Sequence, residues 1–241
     1  MLRLIVIILL LFIFGIPIGL PALLVCWLTG FVSRDAQATA SLAYLRFLMA
    51  LALLAAGVKV KAVGTENIPE KDPCLFVCNH RSYFDIFIQY QYIRRICGTV
   101  AKVEWKKIPL LPTWMKFIRC TFLDRKSLRS GVAVTKEMEA ELLAGHAYCI
   151  YPEGTRGHLN GLLPFREGSF KSAFATGVPI LPITYVHTDD VYENHRPWVR
   201  PTEVTVVFGE PIPTAGLGRP EQKALSAKIR GQIAETYAKY V

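Results

Sequence analysis

The chain contains no G-x-G-x-x-G fingerprint, no G-x-x-x-x-G-K-[ST] phosphate loop and no G-x-S-x-G elbow, although Gly168-Ser169 superficially hints at the last. Motif support is therefore missing for dinucleotide binding, nucleoside triphosphate binding and a serine hydrolase. None of the six cysteines (Cys26, Cys74, Cys78, Cys97, Cys120, Cys149) belongs to a C-x-x-C pair, and most lie in apolar runs. They read as small core residues in a reducing compartment. The five histidines show no metal-ligand spacing, so no metal site is expected. Internal repeats and low-complexity segments are absent. Acidic residues are few, 19 against 28 Lys and Arg, for a net charge of +9. From Leu4 to Ser33 there is no charge at all.

What fills that gap is apolar. Hydrophobic residues make up 52% of the 241 positions and the mean hydropathy is +0.31, which points to a membrane-associated protein. The uncharged run exceeds the roughly 20 apolar residues that span a bilayer. A secretory signal is the rival, since Ala36-Gln37-Ala38 resembles a cleavage site, but the run is long for a signal core and the cysteine usage argues against export. Pro17, Pro21 and three glycines interrupt it, so a bent or re-entrant helix fits as well as a straight span. A second apolar stretch, Phe47 to Val58, is too short to span and is expected in the interface. Residues 1–60 are thus expected to form a membrane-binding helical module, which a hairpin would satisfy, and residues 61–241 a catalytic domain.

Between Lys102 and Arg129 eight cations face only Glu104 and Asp124, with Trp105 and Trp114 interleaved. Such a surface attracts phosphate, acidic lipid or an acidic carrier protein, and the aromatics favour a membrane interface over nucleic acid. An ordinary solvated face would carry the same charges.

The remaining pattern alternates strands and helices. Val58–Val63 reads as an edge strand; Leu75–Cys78, Thr99–Lys102, Thr121–Leu123, Ala147–Ile150, Val178–Val186 and Val204–Phe208 read as further strands. A helix is expected from the Ser127 cap to Ala144 with Gly145 as its stop, and a last one from Pro220 to Tyr240. The fold class is α/β: a mixed sheet flanked by helices, with the N-terminal membrane-binding helical segment added.

The stretch Asn79-His80-Arg81-Ser82-Tyr83-Phe84-Asp85 stands between a buried strand and a helix start, where open α/β sheets place ligands and catalytic groups. Within one helix, residues five apart point roughly 140° away from each other. If His80 precedes the cap and Asp85 lies in the first turn, the carboxylate leans back and reaches the imidazole. That pair is a general base with its orienter. A helix-entry turn with incidental polar residues would look the same, so the weight comes from the blocks downstream. Glu153-Gly154-Thr155-Arg156 follows a strand; the glycine allows close backbone approach and the arginine offers a planar fork for phosphate. Arg125 and Lys102 end two other strands, and all three cations can ring the edge that carries His80. Each of them has a surface salt bridge as its plain alternative. Glu153 can pair with one of the arginines or contact substrate hydroxyls.

These blocks, in this order, resemble the glycerolipid acyltransferases, in particular the bacterial 1-acylglycerol-3-phosphate acyltransferases, over Val58 to Phe208. Asn79–Asp85 resembles their N-H-x-S-x-x-D block; Phe122-Leu123-Asp124-Arg125 their second block; Tyr151–Arg156 their F-P-E-G-T-R block; and Val178-Pro179-Ile180-Leu181-Pro182 their V-P-x-x-P block. The resemblance implies a catalytic dyad of His80 and Asp85, and acceptor phosphate on Arg125, the Glu153-Gly154-Thr155-Arg156 turn and Lys102. It implies transfer of an acyl group from acyl-CoA or acyl carrier protein to the sn-2 hydroxyl of lysophosphatidate. No cofactor, metal or nucleic acid is implied. The partners would be a phospholipid membrane, lysophosphatidate and the acyl donor, at the cytoplasmic face of a bacterial membrane. Two positions depart from the pattern: Tyr151 replaces phenylalanine, and Arg119 stands where the second block opens with glycine, which bears on the local turn and on acceptor identity. An acyltransferase for another lysolipid such as lyso-ornithine lipid, a thioester hydrolase, and a non-catalytic lipid-phosphate binding protein are the rivals.

Overall fold

The computed structural model describes residues 1–157 and 161–241. Its helices are α1 (Leu2–Ile13), α2 (Gly19–Thr29), α3 (Arg34–Ala56), α4 (Phe84–Tyr92), α5 (Leu111–Phe117), α6 (Leu128–Leu143), α7 (Lys171–Thr176) and α8 (Arg219–Tyr240). Its strands are β1 (Lys59–Val63), β2 (Leu75–Cys78), β3 (Cys97–Lys102), β4 (Thr121–Leu123), β5 (Ala147–Ile150), β6 (Ile180–Val186) and β7 (Glu203–Phe208).

The strands form one mixed seven-stranded sheet in the order β1-β7-β6-β2-β5-β3-β4. The run from β6 to β4 is parallel, while β7 pairs antiparallel with β6 and parallel with β1. Chain order reverses around β2: the path leaves to β3 and β4, returns to β5, then crosses to β6. The five parallel strands therefore end on one edge beside a topological switch point, where α/β sheets open a crevice. Leu75-Phe76-Val77-Cys78 is buried throughout, as a central parallel strand covered on both faces must be.

Side chains alternate across that strand. Phe76 and Cys78 pack with Ala52, Leu53 and Ala56 of α3 and with Phe84 and Ile88 of α4. Leu75 and Val77 face the other layer, made by Val134, Met138 and Leu142 of α6 and by Leu225, Ile229 and Ile233 of α8. The last three recur every four residues, the stripe by which an otherwise polar helix docks. Ser127 caps α6 through its Oγ, and Gly145 follows that helix in left-handed backbone at φ 89°.

The N-terminal segment is a helical hairpin. The backbone widens into a π-helical turn over Phe14–Ile18 around Pro17, whose ring lacks the N–H that a regular helix needs. The Tyr44 hydroxyl donates to the Phe14 carbonyl, and Arg3 Nη1 donates to the carbonyl of Ala55 at 3.0 Å, tying the two arms together. Leu2–Thr29 and Arg34–Ala56 are each long and apolar enough to cross a membrane. Phe47–Val58, expected as a short interfacial piece, lies instead mostly in α3, whose second half it forms as far as Ala56. Ser33 caps that helix and accepts the N–H of Ala36 at 2.9 Å, so α3 starts well before the apolar run does.

Candidate active site

The loop after β2 is fastened before any side-chain chemistry is considered. Asn79 extends the sheet pairing sideways: its Nδ2 donates to the Tyr185 carbonyl at 2.8 Å and its Oδ1 accepts the Tyr185 N–H at 2.7 Å. The N–H of His80 donates to Glu153 Oε1 at 2.8 Å, and the carbonyl of His80 accepts from the Gly157 N–H at 2.9 Å. Both backbone groups of His80 are thus held by the segment that follows β5.

Asp85 sits in the first turn of α4 and is fully buried. Its Oδ2 receives three N–H groups: Nδ1 of His80 at 2.9 Å, and the backbone of Arg81 at 2.7 Å and Ser82 at 2.8 Å. An acceptor on the Nδ1 side keeps the proton there and turns the lone pair of Nε2 outward. The imidazole is 20% exposed and lies 4.4 Å from the ring of Tyr151, between centroids. The tyrosine hydroxyl donates to Gln89 Oε1 at 2.8 Å. A phenylalanine here could make no such bond, so Tyr151 gains a fixed orientation. Geometry and exposure together make His80 able to accept a proton from a hydroxyl brought to Nε2.

Beside this dyad the carboxyl ends of β3, β4 and β5 deliver Lys102, Arg125 and the turn Glu153-Gly154-Thr155-Arg156. Lys102 is held below its ordinary basicity by burial and by repulsion from Arg125 and Arg156. Arg125 is depressed by burial and by repulsion from Arg166. Like charges gathered this way, in part out of water, mark a place where an anion belongs. Gly154 takes φ 71°, a conformation that a side chain disfavours. Thr155 is exposed.

Two residues of the turn have duties that the sequence did not reveal. Glu153 is buried, and both its oxygens are occupied, Oε1 by the N–H of His80 and Oε2 by the N–H of Leu163 at 2.9 Å. Burial raises its pKa, and those two donors pull in the opposite direction. It braces the loop that carries His80: each of its oxygens already holds a backbone N–H, and Arg81 favours its charged form. Arg156 is likewise not a free fork. Its Nη1 lies 2.8 Å from Glu193 Oε1, its Nη2 donates to the Tyr83 hydroxyl at 3.0 Å, and its guanidinium stacks 3.7 Å above the Tyr83 ring centre.

Glu193 itself was not anticipated. Its side chain is fully buried, and it also accepts from Ser82 Oγ at 2.6 Å and from the Tyr83 N–H at 3.1 Å. Asp189 pairs with Arg81 at 2.7 Å. The available signal was the acidic run Asp189-Asp190-Val191-Tyr192-Glu193 just past a buried strand, in a chain poor in acids.

Arg119, the departure that bears on the local turn and on acceptor identity, lies at the far end of β4 from Arg125. It precedes β4, whereas Arg125 follows it, so the two lie at opposite edges of the sheet. Arg119 adopts φ 66°, which explains why a glycine suits the position, and its guanidinium pairs with Asp35 at 2.5 Å and Glu141 at 3.2 Å. Among the described residues no group of His, Cys, Asp and Glu could hold a metal ion.

A family model described as Acyltransferase matches residues 59–186. A probable 1-acyl-sn-glycerol-3-phosphate acyltransferase of Mycoplasma pneumoniae is 32% identical over 204 residues, covering 80% of this chain and 76% of that protein. The mouse 1-acyl-sn-glycerol-3-phosphate acyltransferase alpha is 31% identical, over 77% of this chain and 66% of its own length. The crystal structure of the 1-acyl-sn-glycerophosphate acyltransferase from Thermotoga maritima superimposes with a TM-score of 0.85, covering 99% of this chain and 95% of that one at 23% identity. That likeness shows the fold, N-terminal helices included.

Proposed function

Because the chain belongs to the acyltransferase family, we propose that it transfers a fatty acyl group from an acyl thioester to the sn-2 hydroxyl of 1-acylglycerol 3-phosphate, giving phosphatidate. The observation that carries this reading is the pairing of His80 with Asp85 at 2.9 Å beside a cluster of depressed cations at the same sheet edge. The names of the relatives from Mycoplasma pneumoniae and mouse support the acceptor.

In this reading the acceptor phosphate docks on Lys102, Arg125 and the Gly154–Arg156 turn, and its free hydroxyl lies beside Nε2 of His80. His80 removes the proton as the hydroxyl oxygen attacks the thioester carbon, and the imidazolium that forms is steadied by Asp85. The thiolate then leaves; its pKa of roughly 8.5 makes it a good leaving group. His80 returns the proton to it. No covalent enzyme intermediate is needed, because the donor is already activated. The donor is acyl-CoA or acyl-acyl carrier protein. The hairpin of α1, α2 and α3 attaches the site to a membrane, where acceptor and product reside, and the expected location is the cytoplasmic face of a bacterial membrane.

The test is a panel of lysolipid acceptors with one acyl donor, scored for lipid product and for free fatty acid. Phosphatidate from lysophosphatidate, with little fatty acid released, is the expected outcome. Faster acylation of lyso-ornithine lipid, or release of fatty acid alone, overturns the acceptor or the transfer respectively. Binding without turnover identifies a lipid-phosphate binding protein.

A further inference from the structure

We infer that Arg166, outside every block that marks the family in this sequence, is a direct ligand of the acceptor's phosphomonoester. The inference rests on the functional reading above and deepens it.

The argument is one of charge accounting. Among the described residues, the arginine–carboxylate pairs are Arg81 with Asp189, Arg119 with Asp35 and Glu141, and Arg156 with Glu193. Among the described residues Lys102, Arg125 and Arg166 have no carboxylate at ion-pair distance, although Glu104 acts on the first two from farther off; they also affect one another: Arg166 repels Arg125, and Arg125 repels Lys102. Arg156, the obvious fork, has spent one nitrogen on Glu193 and another on Tyr83. A phosphate arriving at this edge therefore meets an uncommitted guanidinium at Arg166.

Its position fits that duty. The N–H of Arg166 donates to the Pro152 carbonyl at 3.0 Å, pinning its backbone to the start of the Glu153–Arg156 turn. Its guanidinium then lies over Gly154. A Cβ on that glycine would come within 3.0 Å of Nε and 3.3 Å of Cζ. The absence of a side chain at residue 154 thus opens the place that Arg166 fills, in addition to allowing φ 71°. The side chain is exposed, so an arriving anion can reach it beside Arg125. A planar fork above a bare peptide turn suits a dianionic phosphate, with guanidinium and backbone N–H approaching from two sides.

Coenzyme A also carries phosphates, so the experiment has two donor arms. Full-length wild type, Arg166→Ala and Arg166→Lys are compared in mixed micelles with acyl-CoA and with a phosphate-free acyl-N-acetylcysteamine thioester. For Arg166→Ala, KM for lysophosphatidate should rise about tenfold, the low end for a charged contact at an exposed site. The rise should be the same with either donor, while donor KM and Tm stay unchanged. Arg166→Lys should recover part of the loss, and glycerol 3-phosphate should inhibit wild type more strongly than Arg166→Ala. An unchanged lysophosphatidate KM in Arg166→Ala overturns the assignment. So does an effect confined to acyl-CoA, which would give the arginine to the donor. So does an equal loss in both variants with a lowered Tm, which would make it a brace for the turn. A wild type that acylates monoacylglycerol faster than lysophosphatidate overturns the functional reading itself, whatever the variants do.

Discussion

Nδ1 of His80 and Oδ2 of Asp85 stand 2.9 Å apart although they are five positions apart in the chain, because His80 lies in the loop ahead of α4 and Asp85 in its first turn. The same Oδ2 accepts the N–H groups of Arg81 and Ser82. The carboxylate therefore orients the imidazole and ties down the loop at once. His80→Ala should lower kcat by about 10²–10⁴, the usual worth of a general base, with Tm little changed. Asp85→Ala should lower both kcat and Tm, since two backbone N–H groups lose their acceptor. Steady-state kinetics and thermal melts on both variants check this; near-normal turnover by His80→Ala removes the mechanism.

Glu193 joins the histidine loop to the Glu153–Arg156 turn. Removing it leaves Ser82 Oγ, the Tyr83 N–H and a partly buried Arg156 without their acceptor. Glu193→Ala should cost about 1.5–3 kcal/mol, the range for hydrogen bonds to a charged group, and lower kcat because the hydroxyl is misplaced. Glu193→Gln keeps the shape and one acceptor, so it should fall between wild type and Glu193→Ala in both measurements. Unfolding in urea alongside initial rates decides it, and an unperturbed Glu193→Ala would mean that Arg156 is positioned by something else.

The central strands and α6 were legible because buried parallel strands read as apolar runs and because Ser127 and Gly145 mark the two ends of α6 locally. His80 with Asp85 was legible because their spacing has a meaning at a strand-to-helix junction. Glu193 and Arg166 were not, since the first acts through contacts with segments 37 and 111 residues away and the second across a turn whose shape is set by one glycine. The place of Arg119 was not legible for a related reason: it stands six residues before Arg125, and β4 carries the two to opposite edges.

The N-terminal hairpin divides energetically within α3 rather than at its end. Residues of α1 and α2 are largely exposed, whereas Ala52, Leu53 and Ala56 belong to the sheet's core. Deleting residues 1–30 should weaken membrane attachment and keep a cooperative melt. Deleting residues 1–57 uncovers one face of β2 and should give insoluble chain or a melt without cooperativity. Membrane flotation and circular dichroism separate the two deletions, and a well-folded 58–241 fragment would show that α3 is dispensable to the core.

The buried thiols offer a check on the core itself. Burial pushes Cys74 up to about 12 and Cys120 up to about 11, and it raises Cys78, Cys97 and Cys149 as well. Since only the thiolate reacts, none of the five should be alkylated by maleimide in the native protein at pH 8. All should label on unfolding, which mass spectrometry counts. Rapid labelling of Cys78 or Cys149, which lie 3.3 Å apart beneath the His80 loop, would mean that the loop opens in the native state.

Lys102 gives the site a pH dependence of definite sign. Burial first, then Arg125 and Arg156, lower its pKa from the ordinary 10.5. In the folded chain the charged form is therefore the disfavoured one. Its repulsion costs stability at neutral pH, and that cost eases as pH rises through the lowered pKa toward 10.5. A bound phosphate reverses the balance by favouring the cation. Inorganic phosphate should accordingly raise Tm at pH 7 and do so less as pH climbs into the alkaline window. KM for lysophosphatidate should rise over the same window, earlier than an unperturbed lysine would allow. Lys102→Arg, which keeps its charge throughout, should hold KM flat there, and Lys102→Met should show the raised KM already at pH 7. The measurement is KM against pH for the three proteins with one donor; a wild-type profile that matches Lys102→Arg at every pH would take Lys102 out of the phosphate site.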